Sequence, residues 1–262
     1  MPETPSAQIA GIYRYPVKGL TPEPLTCVTL TAGQTLPADR SYAIENGPSG
    51  FDPMEPKWMS KAYFLMLQRD EWLAGLHTHF DDASNVLTIR RDGSIAAQGD
   101  LETVQGRTAI ERFFAVNFAG EIKGPPKILA GRGHSFSDVA RKVVSIINLA
   151  SLEAIEDIVG QTVAPLRFRA NLYVRGGWPA WHEFDLLGRT LVIGGAHLKV
   201  VKRIKRCAAI NVDPDTAARD LDIPHTLMRK YGHGDCGVYA EVATGGTIAD
   251  GNEIGIEEPA LL

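Results

Sequence analysis

Turn signals divide the first hundred residues so closely that no long helix fits between them, and this punctuation constrains the fold more than any other feature. "QIAGIYRYPVKG" (8–19) and "PLTCVTLTAGQ" (24–34) alternate apolar and polar positions and are bounded by Pro and Gly, the pattern of half-buried strands. "RSYAIENGPSG" runs into Asn-Gly and "NVLTIRRDGS" into Asp-Gly, pairs that suit two-residue hairpin turns. Short strands at such regular spacing predict a small barrel or sandwich.

Helical signals are fewer. "TAIERFFAVNFAG" offers Thr108 as N-cap with Glu111 three residues on and Gly120 as its stop. "ASLEAIEDIVG" places Leu152, Ile155, Ile158 and Val159 on one face before Gly160, and "PHTLMRKYG" predicts a short helix ending at Gly232. "RFRANLYVRG", "RTLVIGGAHLKVVKRIKRC" and "CGVYAEVATGGTIADGNEI" return to strands and turns. "KGPPKILAGRGHSFSD", with two prolines and three glycines, is the expected seam between a front and a back domain. The fold class expected is α+β and β-rich.

Bulk properties exclude several function classes. At 262 residues, 44% hydrophobic and 22% charged, the chain can bury a sizeable core as one large or two modest domains. A net charge of −4 gives no global attraction to nucleic acid or to anionic membrane, so anion binding must be local. The start "MPETPSAQIAG" lacks the basic and apolar regions of a secretory signal, and no apolar run approaches the roughly 20 residues of a membrane helix. Cys27, Cys207 and Cys236 cannot all pair and are widely spaced, so a reduced, cytoplasmic protein is expected. Cys27, within "LTCVTLT", is expected to pack inside.

"IKRCAAINVDPDT" (204–216) sets one thiol at the end of a basic stretch, just before a turn. In a strand over 198–207, Lys199, Val201, Arg203, Lys205 and Cys207 face one way, and Leu198, Val200, Lys202, Ile204 and Arg206 the other. Both faces then carry cations, which favour a thiolate, and a thiolate is both nucleophile and soft-metal ligand. Against this stands the ordinary role of free cysteine as a small core hydrophobe. A zinc site built from His233, Cys236, Cys207 and His225 has only one close pair to support it. The stripe Lys199–Arg206 lacks the interleaved aromatics of a nucleic-acid surface. "GGWPAWHEF" is a loop anchored by its tryptophans, and the glycines of "RGGW" and "VIGG" open no helix as a phosphate loop would.

"RFRANLYVRG", "VKRIKRCAAINVDPDT" and "GVYAEVATGGTIADGNEI", in that order, resemble the MOSC domain, the C-terminal module of molybdenum cofactor sulfurases. "YPVKG" (15–19) and "DRSYAI" (39–44) resemble the β-barrel domain that precedes it in that family. Bacterial stand-alone MOSC proteins and the mitochondrial amidoxime-reducing component are the similar group. The resemblance implies a smaller N-terminal β-barrel-like domain over 6–120 and a MOSC β-barrel over 125–258, with a pyranopterin molybdenum cofactor held between them. It implies Cys207 as the one protein ligand to molybdenum and the catalytic centre. It also implies Lys18, Arg40, Arg169 and Asn171 as cofactor-binding residues, with Ser137 and Asp138 in a looser match to a short polar motif. Asp213 of "VDPDT" is expected to tighten its own turn. Gly19 stands where many relatives carry Ser, Ala170 where they carry Pro, and "YGHGDCGVY" departs from the usual approach to the pocket.

Two functions follow from the resemblance. The first is a molybdenum-dependent oxidoreductase reducing small N-hydroxylated compounds. With three cysteines the chain has no iron–sulfur motif, and it has no dinucleotide fingerprint, so electrons must come from a separate protein of ferredoxin or flavoprotein type. The second is a sulfur carrier holding a persulfide on Cys207 for metallocofactor assembly. MOSC domains occur fused to a pyridoxal-phosphate desulfurase, so pyridoxal phosphate attaches to this chain by domain association only, and a carrier would need such a partner.

Overall fold

The computed structural model describes residues 6–257. In chain order the strands and helices are β1 (Ala7–Arg14), β2 (Glu23–Leu25), β3 (Cys27–Leu30), β4 (Tyr42–Asn46), β5 (His77–Asp81), β6 (Val86–Arg91) and β7 (Ser94–Asp100). Next come α1 (Val104–Asn117), β8 (Pro126–Ala130), β9 (Val144–Asn148), α2 (Leu149–Val159), β10 (Leu172–Gly176), β11 (Thr190–Ile193) and β12 (Ala196–Lys205). The last are α3 (Ile223–Tyr231), β13 (Asp235–Thr244), β14 (Gly246–Ala249) and β15 (Glu253–Ile256).

Seven strands close into a barrel in the order β10-β9-β13-β12-β11-β15-β1, with β1 pairing back onto β10 and β2 appended outside β1. Ile9, Ile146, Leu172, Val174, Leu191, Leu198, Val200 and Val238 fill it, each at most 1% exposed. Closure leaves no unpaired edge on these seven strands. The one parallel pair, β9 with β10, needs a crossover, and α2 supplies it. α2 starts on the side chain of Asn148, which accepts from Ala150 N, and stops at Gly160 with φ 77°. Its buried face packs on α3, which stops at Gly232 as its sequence predicts.

The smaller unit has its own core. β5-β6-β7 form a meander, β4 pairs with β8, and α1 lays Ile110, Phe113 and Phe114 against Leu73, Phe80, Leu87 and Ile89. The mixed, strand-rich architecture with a closed barrel is that expected of the fold class. The segment read as a seam begins as β8 and then carries Phe136, Ser137 and Asp138 toward the barrel.

Two local expectations are corrected. α1 begins one turn earlier than Thr108, on Thr103, whose hydroxyl accepts from Gly106 N at 3.0 Å. Gly106 is no helix breaker there: a Cβ would lie 2.1 Å from Asp100 O, so its absence lets β7 and α1 touch. Cys27 is exposed, not packed, because β3 turns Val28 and Leu30 inward and Cys27 and Thr29 outward.

Candidate functional site

A cleft of about 310 Å³ opens between the end of the barrel and the smaller unit. Lys18 and Arg40 reach it from either side of the β1–β4 connection, and Lys61 from a 3₁₀ turn over Lys61–Tyr63. Ser137 and Asp138 enter from the loop after β8, Arg167–Asn171 from the approach to β10, and Lys202–Cys207 from the end of β12. Nine Lys or Arg residues border the cleft (18, 40, 61, 167, 169, 202, 203, 205 and 206) against two Asp (39 and 138), although Arg167 is paired with Asp213 and Asp220 and Arg203 lies over the Phe184 ring. In an acidic protein this is a local anion trap.

Cys207 lies in this cleft, half-buried and unpaired with another cysteine. It is not the last residue of a regular strand. β12 ends at Lys205, and register shifts between Val200 and Lys202 and between Arg203 and Lys205 break the predicted alternation. Cys207 instead opens the 3₁₀ turn Ala208–Asn211 in extended conformation. On β13 the extra residues include Gly237 at φ 76°, where a Cβ would meet Ile146 O at 2.6 Å. That close approach also leaves room for the Arg206 guanidinium.

The sulfur has a charged neighbour. Lys61 Nζ lies 3.3 Å from Cys207 Sγ and 3.2 Å from Asp138 Oδ2, while Lys18 Nζ donates to Asp138 Oδ1 and to Phe136 O. Burial alone would raise the Asp138 carboxyl; Lys18 and Lys61 outweigh it and hold the group well below the usual carboxylate range. For Lys61, burial works against the charge, but Asp138 and the Cys207 sulfur prevail and raise its pKa.

A second cluster surrounds Tyr15. Arg40 and Arg169 place their guanidinium carbons 4.7 and 4.3 Å from the centroid of its ring. Its hydroxyl donates to Ala170 O, and burial pushes its pKa up to about 12. Arg40 and Arg169 sit at φ 54° and 51°, a left-handed conformation that costs a side-chain-bearing residue of order 1–3 kcal/mol unless its surroundings enforce it. Burial, with Arg40 nearby, lowers the Arg169 guanidinium to about 10. Nη2 of Arg169 and Nη2 of Arg206 are buried with no hydrogen-bond partner, although Arg206 donates from Nε to Cys236 O and from Nη1 to Phe168 O. Buried donors left open in this way are what an anionic ligand would satisfy.

Other predicted residues have different work. Asn171 borders the cleft, but its Oδ1 accepts from Ser145 N and Oγ and its Nδ2 donates to Tyr13 O. It therefore pins β1, β9 and β10 together rather than presenting a free amide edge. Asp213 Oδ1 accepts from the backbone of Asp215 and Thr216, and Oδ2 from Arg167, the turn-tightening role expected of it. Ser137 lines the cleft, and its carbonyl accepts from Trp58 Nε1. Gly19 has φ 84°, and a Cβ there would press on Leu65 O at 3.2 Å, so the position favours glycine. Cys236 is fully buried, and burial pushes its thiol up to about 12, so it packs in the core. Among the described residues no three His, Cys, Asp or Glu are grouped so as to hold a metal ion together. His233 stacks among Trp181, Phe184 and Tyr231, so "GHGDC" joins an aromatic cluster.

Sequence reasoning missed Lys61 and Arg206 in the cleft, and Tyr15 beneath Arg40 and Arg169. Arg219, outside the cleft lining, ties the turn after Cys207 to the smaller unit: Nη1 donates to Ala208 O, and Nη2 to Leu67 O, Gln68 O and Glu71. Tyr15 opens the very motif that singled out Lys18, so its place beside the site was within reach.

The MOSC domain family model matches residues 129–255. This chain carries a MOSC domain. The family is linked to molybdenum cofactor binding. Within the MOSC domain lie Asp138, Arg169, Arg206 and Cys207; Lys18, Arg40 and Lys61 come from outside it. No curated protein sequence matches the chain significantly. Among solved structures, the YuaD protein of Bacillus subtilis aligns over 96% of this chain and 95% of its own, at 13% identity and a TM-score of 0.45. YiiM of Geobacillus stearothermophilus aligns over 44% of this chain and 54% of its own, at 19% identity and a TM-score of 0.36. YiiM of Escherichia coli aligns over 45% and 55%, at 19% identity and a TM-score of 0.33. Among the described residues no helix is long and apolar enough to cross a membrane.

Proposed function

We propose that this chain is a molybdenum-cofactor-dependent oxidoreductase that reduces small N-hydroxylated compounds with electrons delivered by a separate redox protein of ferredoxin or flavoprotein type. The supporting observation is the meeting, in one cationic cleft, of the half-buried Cys207 sulfur with the open guanidinium N–H groups of Arg169 and Arg206. A soft thiolate suits a soft metal, and buried guanidinium forks suit the phosphate and oxygen edges of an anionic pterin, so the residues present fit the group. Cys207 would bind the metal; Lys18, Arg40, Arg169 and Arg206 would orient the anionic part, with Ser137 and Asp138 at its edge. Asn171 would act from behind by holding the strands in register.

When bound, the cofactor would supply two-electron oxygen-atom chemistry: R–NH–OH with two electrons and two protons gives R–NH2 and water. The chain's own residues provide the thiolate, a charged cradle and a cleft walled by both β-rich units. Sulfur transfer through a Cys207 persulfide is the competing role. A carrier needs an accessible thiol, whereas two buried guanidinium donors without partners are more than a persulfide requires.

The test is metal analysis and pterin fluorescence on protein from a molybdate-supplied host. Stoichiometric molybdenum and pterin, lost together with N-hydroxylamine reduction in Cys207→Ala, is the expected result. Protein that lacks both yet accepts labelled sulfur on Cys207 would overturn the oxidoreductase reading.

A further inference from the structure

We infer that Lys61 is the positioning residue for the Cys207 sulfur, fixing its direction and weakening its electron donation by hydrogen bonding; the role at a metal rests on the function proposed above. Lys61 comes from the smaller unit, outside the MOSC domain, yet its ammonium lies 3.3 Å from Sγ. A surface lysine ordinarily leaves its ammonium in water because ordering the four-carbon stem costs entropy. Here the stem is held at both ends of a chain: Lys18, 7% exposed, grips Asp138, and Asp138 grips Lys61 at 3.2 Å. The run Lys18–Asp138–Lys61–Cys207 therefore links the motif at residue 18 to the thiol at 207 through groups from four separate segments. An ammonium donating to a thiolate lowers its negative charge density, and hydrogen bonds to a ligand sulfur tune the metal it binds.

The Lys61–Cys207 contact does not require the sulfur to be metal-bound, so the first test does without the cofactor. Protein from a host unable to assemble it is treated with iodoacetamide at one fixed pH, and each cysteine is followed by peptide mass spectrometry. Exposed Cys27 is the internal reference, and continued protection of buried Cys236 reports an intact fold. In Lys61→Met, which frees the sulfur from its tether, the Cys207-to-Cys27 alkylation ratio should shift by at least about fivefold, and Lys61→Arg, which keeps a donor, should bring it back to within about twofold of wild type. If Lys61→Met exposes Cys236, Lys61→Gln is measured in its place. An unchanged Cys207-to-Cys27 ratio with Cys236 still protected overturns the inference. In cofactor-loaded protein the metal's reduction potential should move negative in Lys61→Met and return in Lys61→Arg; an unmoved potential also overturns it. Absence of cofactor from wild-type protein made in a competent host counts against the proposed function instead, and leaves the alkylation result to decide on Lys61.

Discussion

Arg40 donates from Nη2 to the backbone carbonyl of Arg169 at 3.0 Å, joining residues 129 apart in sequence that both hold left-handed backbone and both lie over the Tyr15 ring. Two like charges on one ring repel each other, so the arrangement is stable only through its neighbours. Asp39 pairs with Arg40, and the phenol ring offers both guanidiniums its negative face. The result is a pair of cations fixed before any ligand arrives.

Arg169→Lys should therefore cost more than a conserved charge suggests. Lysine keeps the charge but loses the planar fork and the stacking on Tyr15. Pterin content of purified protein should drop at least about tenfold with near-normal thermal stability. Wild-type retention of pterin in this variant would remove Arg169 from the cradle.

Tyr15 separates ring from hydroxyl. Tyr15→Phe keeps the cation stack and deletes the bond to Ala170 O, so urea unfolding should show a loss of about 1 kcal/mol. Tyr15→Ala also removes a fully buried ring and should lose about 3–5 kcal/mol.

Asp138 predicts a pH dependence with a definite sign. Its folded-state pKa is depressed, so its contribution to stability is present above the ordinary carboxylate pKa, near 4, and fades as pH falls below that. Comparing wild type with Asp138→Asn by urea titration, the wild-type advantage should be constant from about pH 7 to 5 and shrink toward pH 2. An advantage that grows on acidification would contradict the Lys18–Asp138–Lys61 arrangement.

Gly19→Ser should destabilise this chain by about 1–2 kcal/mol, because φ 84° strains any side chain and Leu65 O stands in the way. Thermal unfolding of the single variant is sufficient to check it.

What the sequence revealed and what it hid follow physical lines. α2 and α3 were legible because each ends on a glycine that takes a left-handed cap, a local requirement written in one residue. Cys207 was legible through its motif, but its environment was not. Two bulges defeat the alternation along β12, and bulges depend on pairing with β13, not on β12's own residues. Cys27 shows the same limit, since alternation tells that faces differ but not which one is covered. Lys61 was hidden because it stands in an irregular segment without strand or helix periodicity, and only folding brings it to the sulfur. Asn171 carried a plausible ligand chemistry that the protein spends internally, and hydrogen-bond accounting of that kind requires coordinates.

The barrel takes a stave from far upstream: β1, at residues 7–14, lies between β10 and β15 and outside the stretch 129–255 that the family model recognises. A fragment trimmed to that stretch would be a cylinder with an open seam, two raw strand edges facing solvent and the hydrocarbon once covered by Ile9 and Ile12 laid bare. Such a piece should stick to copies of itself. Adding the missing strand back as a peptide should mend it.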